Sequence, residues 1–445
     1  MNEMKKLIMS VIPVLVMAFC LTGCDDSFDD SSAASTELLL TVKLPDEAAG
    51  ATLTDESLSV RNVSTGREQT YSYTEGIVLL PGLYDFTYEA TLRLPSGAES
   101  TLRAAATSVR VLGSSAAICL EGYYNIESDD LIIAEVFFSG TIRNSGNQYH
   151  GDDYIKLYNN TDHVIYADGL TIFESKFTTT AKYEHTPDIM NEAMNVQALY
   201  TVPGSGTDHP VAPGEYFLIC DTGIDHRVAN PNSFDLSGAD FEWYDVSTSP
   251  DNMDIDSPLV PNMDKWYCYT FSYWVLHNRG FKAYGIARIP VDRDTYLKDY
   301  TYHYDWIIVS AAGTFPMTAD SYKIPNEWIV DVVNCSVASE YAWNLCAPSL
   351  DCGWTSCGTI DKDKTRYFHS VRRKMLRLND DGNPVLKDTN NSSADFNPDC
   401  IASEIELQGT AMDADGTPCT AITYDGVVPV DRSRSPRWPM TSRKF

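Results

Sequence analysis

From Tyr84 to Leu94 the chain alternates without a miss. Tyr84, Phe86, Tyr88, Ala90, Leu92 and Leu94 fall on one side, and Asp85, Thr87, Glu89, Thr91 and Arg93 on the other. Successive side chains of an extended strand point to opposite faces, so this period of two predicts a strand with one face buried and one wet. Pro81-Gly82 introduces it and Pro95-Ser96-Gly97 ends it in a turn. Segments 37–44, 57–63, 67–74, 77–80, 102–111 and 116–120 read as further short strands. Seven or so strands in residues 37–125 predict a small β-sandwich.

The phrase Leu79-Leu80-Pro81-Gly82-Leu83-Tyr84-Asp85-Phe86 resembles the transthyretin-like (prealbumin) and carboxypeptidase-regulatory-like modules, an Ig-like sandwich that usually serves as a spacer. A second set of blocks begins at Leu131-Ile132-Ile133-Ala134-Glu135-Val136. It continues through Asp153-Tyr154-Ile155-Lys156-Leu157-Tyr158-Asn159-Asn160, Gly169-Leu170-Thr171 and Pro213-Gly214-Glu215-Tyr216-Phe217-Leu218-Ile219. In that order the blocks resemble a lamin-tail domain. Ser370-Val371-Arg372-Arg373-Lys374 stands at that family's Ser-x-x-Arg strand, and 388–396 at its closing loop. Lys156 stands where the family typically has an acid, and long insertions separate the blocks. The resemblance implies an Ig-fold sandwich over residues 129–400, without a known catalytic centre. The fold class expected is therefore all-β: two tandem β-sandwiches, then a C-terminal extension at 401–445.

The N-terminus carries an address. Lys5 and Lys6 precede an apolar stretch from Leu7 to Leu21, which ends in Leu21-Thr22-Gly23-Cys24. Fifteen residues fall short of the roughly 20 that span a bilayer, and small residues before a cleavage point suit a signal peptidase. The four residues resemble a lipobox. The resemblance implies that residues 1–23 are a signal peptide and that Cys24 is acylated, palmitate being among the chains such lipoproteins carry. Residues 24–36, opening with Asp25-Asp26-Ser27-Phe28-Asp29-Asp30, form a polar tether. An acidic run at this place is similar to the surface-export signal of Bacteroidota lipoproteins, which implies the outer membrane and its exterior face. Lipobox, spacer and lamin-tail-like domain together are similar to a Bacteroides-type surface lipoprotein family built on a domain of unknown function. Members often stand beside TonB-dependent receptors, which makes such a receptor an expected partner.

Charge narrows the partners. With 33 Lys+Arg against 62 Asp+Glu the formal charge is −29, and a surface that repels phosphate forfeits the counterion release on which nucleic-acid affinity rests. No nucleic-acid partner is expected. A basic tail, with Arg432, Arg434, Arg437, Arg443 and Lys444, is the exception; it suits either the chain's own acidic body or an acidic partner.

The chemistry-bearing residues are dispersed. None of the eight histidines forms a His-Glu-x-x-His pair, and the chain has no Gly-x-Ser-x-Gly elbow, P-loop or dinucleotide fingerprint. We expect a non-enzymatic protein, with no cofactor unless calcium. An adhesive or structural surface role and a hydrolase with an unfamiliar site are the alternatives. Cys335, Cys346, Cys352 and Cys357 lie close enough for two disulfides, 335–346 and 352–357, with free thiols or zinc as rivals. Between Arg227 and Lys265 stand eight acids and no lysine or arginine; Asp251, Asp254 and Asp256 alternate there as calcium candidates, and a solvated loop is the plain reading. His150-Gly151-Asp152-Asp153 offers a hard cation its ligands, or is simply a turn before a strand. Six aromatics crowd Trp266 to Trp274, and Tyr302-His303-Tyr304-Asp305-Trp306 is a second cluster. Either they are core, or Trp266, Tyr267, Tyr273, Trp274, Tyr302 and Trp306 include an exposed platform for a saccharide or other small ring-shaped ligand.

Overall fold

The computed structural model describes residues 35–408 except 73–75, 96, 127, 251 and 311. The expected signal peptide, Cys24, the tether to residue 34, Asp251 and the basic tail lie outside the described residues. What is described is a β protein, and the alternation at Tyr84 sets its first core. Eight strands build that part: β1 (Thr36–Lys43), β2 (Thr52–Asn62), β3 (Glu68–Tyr71), β4 (Ile77–Leu79), β5 (Gly82–Arg93), β6 (Glu99–Val111), β7 (Ser115–Glu121) and β8 (Tyr123–Asn125). One sheet has the order β4-β1-β7 and the other β3-β2-β5-β6-β8. β1 runs parallel to β7 from Glu37↔Ser115 to Lys43↔Glu121. Between the sheets lie Tyr84, Phe86, Tyr88, Ala90 and Leu92, the apolar side of the predicted strand, together with Leu38, Leu102 and Ile118.

The first sandwich meets the second at Asn125 and Ile126. The Ile126 amide donates to the Asp388 carbonyl at 2.6 Å, and Asn125 both donates to the Leu386 carbonyl and accepts from the Asp388 amide.

Thirteen main strands make the second part: β9 (Ile132–Phe137), β10 (Tyr154–Tyr158), β11 (Leu170–Ser175), β12 (Ala193–Thr201), β13 (Tyr216–Cys220), β14 (Phe241–Glu242), β15 (Asp264–Cys268), β16 (Ala283–Arg288), β17 (Thr301–Ser310), β18 (Gly313–Pro325), β19 (Ile329–Asn334), β20 (His369–Arg373) and β21 (Phe396–Ile401). They form a six-stranded sheet, β14-β13-β10-β9-β20-β21, and a seven-stranded one, β17-β18-β12-β11-β16-β19 with β15 paired to β12. The inner faces enclose one apolar cluster, in which Trp243, Trp274, Tyr200 and Tyr284 sit among Ile133, Ile155, Leu157, Ile172 and Ile286. Residues of β9, β10, β11 and β12 are buried on both faces. The reason is that insertions cover the outer sides. Tyr296 of helix α1 (Arg293–Asp299) packs with Leu199 and Ile324 over one sheet, and Ile405 of helix α2 (Ser403–Gln408) packs with Tyr154 and Phe234 over the other.

Lys156 is buried beneath that helix and paired there. Its ammonium contacts Glu404 at 2.5 Å and Glu135 at 4.0 Å, and donates to the Ser403 hydroxyl. Glu135 takes further hydrogen bonds from Ser370, Ser403 and Tyr154, and the nearby Lys156 and Arg372 charges hold its buried carboxyl below the usual range against desolvation. Stripping one partner from such a buried set leaves a charge without compensation. Lys156→Ala should therefore cost about 3–5 kcal/mol of stability and speed hydrogen exchange in residues 403–408, both measurable by denaturation and exchange mass spectrometry.

The first sandwich offers a paired check. Phe86→Ala should cost about 3–5 kcal/mol, whereas Thr87→Ala, one residue along and on the wet face, should stay within roughly 0.5 kcal/mol. Equal losses at both positions would mean the alternation does not carry the core.

Candidate functional site

β17 and β18 pair along their whole length, from Thr301↔Tyr322 to Ser310↔Gly313, but β18 joins β12 only through residues 322–325. The hairpin thus stands clear of the sheet. Alternation places Tyr302, Tyr304, Trp306 and Ile308 on one face, and their rings form a ladder with centroids 4.9 Å apart for Tyr302–Tyr304 and 5.3 Å for Tyr304–Trp306. Tyr302 is buried at the root, where its hydroxyl donates to the Pro187 carbonyl. Towards the tip Ile307, Val309, Phe315 and Met317 are exposed.

Against this ladder lies the insertion that follows β11. Phe177 stacks on His185 with centroids 3.9 Å apart and planes at 11°, and meets Tyr304 edge-on at 5.3 Å. Trp343 closes the group, its indole N–H donating to the carbonyls of Thr178 and Ala181. Thr186 exchanges two backbone hydrogen bonds with Asp305, which fastens the insertion to the hairpin. The result is a pocket of about 170 Å³ lined by Lys176, Phe177, Thr178, Ala181, Tyr183, His185, Tyr304 and Trp306. Pockets that take drug-sized ligands run to roughly 300–1,000 Å³, so this one has room for a single ring. Burial lowers the His185 pKa from its ordinary value, with Asp188 and Glu184 opposing. That favours the neutral imidazole, which acts here as one more stacked ring. Lys176 and Thr178 supply the polar groups at the rim.

Of the six aromatics singled out in the sequence, Trp306 alone lines this pocket. Trp274 is core, stacked on Tyr200 at 5.1 Å and touching Trp243 at 5.0 Å. Tyr302 is buried. Trp266 and Tyr267 are half-buried, packed on Tyr296 and Tyr322 respectively, and Tyr273 is half-buried outside the pocket. The long aromatic strand expected at 266–274 stops at Cys268; beyond it the chain turns irregular, so no nine-residue platform forms. The residues that sequence inspection passed over are Phe177, Tyr183, His185 and Trp343. For the first three the signal was present in Phe177 to His185, three aromatic or imidazole rings within an insertion too polar to be a strand.

The expected disulfides are not formed. Cys335, Cys346, Cys352 and Cys357 are all free thiols. Folding separates the pairs drawn by sequence proximity: Cys335 and Cys357 share the inter-sheet core, Cys346 lies in the cluster on the outer side of the seven-stranded sheet, and Cys352 is exposed. Cys346 is held by the Asn334 amide and the Asp351 carbonyl.

The acidic stretch is likewise used internally. Asp254 accepts the Asp245 and Ile255 amides, and Asp256 the Asn262 amide. Asp245, fully buried, pairs with Lys265 at 2.6 Å and accepts from Tyr200 and from the Trp274 amide. Asp251 lies outside the described residues, so the expected calcium set is not seen whole; among the described residues no three His, Cys, Asp or Glu side chains converge as metal ligands. Glu242 accepts the Gly223 and Ser257 amides, yet burial pushes its carboxyl up to about 7, and that of Asp254 to about 6.

Raised carboxyls fix a sign. The folded state binds protons that the unfolded chain has already released, so this contribution is full below about pH 4.5, the ordinary carboxyl range, and is lost as pH rises through 6 to 7. Thermal stability should fall between pH 5 and pH 8, and Glu242→Gln should flatten part of that slope in a pH series of melting curves.

Residues 212–403 match the family model described as "Protein of unknown function (DUF4876)". That span holds the hairpin, the acidic stretch and Trp343, but not the Phe177–His185 wall. A crystal structure of a DUF4876 family protein from Bacteroides thetaiotaomicron is similar over 85% of this chain and 98% of its own, with a TM-score of 0.52 and 20% identity. At that identity the likeness concerns the fold. No curated protein matches the chain.

Proposed function

We propose that the protein is a non-enzymatic binding protein whose site is the pocket between the Phe177–His185 insertion and the Tyr302–Trp306 ladder, and that its ligand is a single sugar ring or a planar ring of similar size. One observation carries this reading: Tyr183 is 39% exposed and Trp306 half-buried at a pocket whose other walls are already stacked and hydrogen-bonded. Large aromatics normally go inside, whereas rings held in place at a surface offer contact area at little cost in side-chain entropy. The lining supplies stacking faces, one lysine and one threonine, and its histidine is engaged by Phe177. That composition suits holding a ring and has no paired base and nucleophile.

The setting we propose is the outer face of the outer membrane, with Cys24 acylated and residues 25–36 as a leash. Leu21 to Cys24 and the acidic run support it. A TonB-dependent receptor is the partner we favour, to which a captured ligand would pass.

Two measurements check the site. A thermal-shift screen against glycans and aromatic heterocycles should find a stabilising ligand, since whatever binds only the folded state must raise its melting temperature. Trp306→Ala should then weaken binding by about 1–3 kcal/mol with little change in stability, while Trp274→Ala should cost about 3–5 kcal/mol of stability. Binding of the same ligand that survives Trp306→Ala and Tyr183→Ala places the site elsewhere.

A further inference from the structure

The second sandwich contains carboxylates that nothing in the chain satisfies. β10 and β13 pair through Tyr154↔Cys220, and one step beyond, the Asp221 amide donates to the Asp153 carbonyl at 2.9 Å. The two aspartates are therefore cross-strand neighbours. Ile155 and Leu157 of β10, and Phe217 and Ile219 of β13, belong to the inter-sheet core, whereas Tyr154 and Cys220 belong to the outer cluster. Alternation turns Asp153 and Asp221 to the inner side. Both are buried, as is Asp152 beside them. Both carboxylate oxygens of Asp153, one of Asp221 and one of Asp152 have no hydrogen-bond partner. The remaining Asp152 oxygen is taken by the Thr141 and Ser233 hydroxyls. His226, the nearest cationic prospect, is spent: one ring nitrogen meets the Tyr149 hydroxyl and the other the Thr222 carbonyl, each at 2.8 Å.

Buried polar groups in folded proteins are almost always partnered, and a buried anion without a counter-charge is among the costliest arrangements known. Here three such oxygens belong to the facing pair Asp153 and Asp221, and a fourth to Asp152 beside them. Aspartate oxygens without nitrogen or sulfur donors are the choice of hard cations. We propose that Asp153 and Asp221, flanked by Asp152, hold a calcium-type divalent cation at this end of the sandwich. Two carboxylates fall short of a complete protein cage, and a hard cation completes such a shell with water. The site is separate from the aromatic pocket; Asp254 and Asp245 of the acidic stretch act electrostatically on Asp221, and the pair joins the His150–Asp153 turn to the end of β13. Because its ligands come from two neighbouring strands of the central sheet, occupancy should be felt as stability of the whole sandwich.

The test is calorimetry on the full chain in calcium and in EGTA, with elemental analysis of protein purified without chelator. We expect a melting temperature several degrees higher in millimolar calcium, and near-stoichiometric divalent metal. Asp153→Asn should abolish the calcium increment while raising the melting temperature in EGTA, because it removes one of the facing charges; Asp221→Asn should do the same. A purely structural aspartate would give the opposite, a loss in both conditions. The proposal is overturned if calcium, magnesium and manganese each leave the wild-type melting temperature unchanged and no metal co-purifies, or if calcium stabilises both variants as much as the wild type.

Discussion

The interaction on which the second half of the molecule depends is the burial of a sheet on both sides. Strands β9 to β12 have no wet face, so each outer side needs a cover, and the covers are the insertions and helix α2. This explains why so many charges sit inside. A cover made of loops and a short helix brings polar backbone and side chains with it, and those must be answered within the protein. Lys156 with Glu135 and Glu404 is one answer. Arg373, paired with Asp331 and Asp388, is another. Such sets fix which cover goes where, since a misplaced helix would leave a buried ion alone.

The pocket follows from the same economy of covers. An insertion that packs on a sheet edge and a hairpin that outruns the sheet meet at an angle, and the ring stack of Phe177, His185 and Trp343 fills most of the angle. What remains open is one ring wide. Its walls are tied by the Thr186–Asp305 exchange and by the Trp343 N–H, so a ligand would find the site already shaped and would not have to order it.

Much of this was legible in the chain. The period-two run at Tyr84 gave the first core residue by residue, and the blocks at 131–136, 154–158, 170–171 and 216–219 became strands in the anticipated order. Local pattern suffices there because a strand's inside and outside are set by alternation. The site was harder. Trp266 to Trp274 looked like a platform because composition records clustering but not which rings find a core; Trp274 found one, and the strand ended six residues early. The pocket is assembled from Phe177 and His185 on one side and Tyr304 and Trp306 on the other, more than a hundred residues further along the chain, and only the fold makes them neighbours. The cysteines misled for the same reason, since closeness along the chain says nothing about which side of a sheet each thiol ends on. The His150–Asp153 turn was visible, but its partner Asp221 became apparent only through strand pairing.

The parallel pairing of β1 with β7 has a mechanical meaning. The chain enters the first sandwich at the start of β1 and leaves for the second after β7 and β8. A pull between those two ends drags the parallel strands past each other lengthwise, and the hydrogen bonds from Glu37↔Ser115 to Lys43↔Glu121 are strained together in shear. An antiparallel pair pulled from one end would instead open like a zip, bond by bond. Under such a pull the small sandwich would hold as a block, with all seven residue pairs loaded at once instead of one after another.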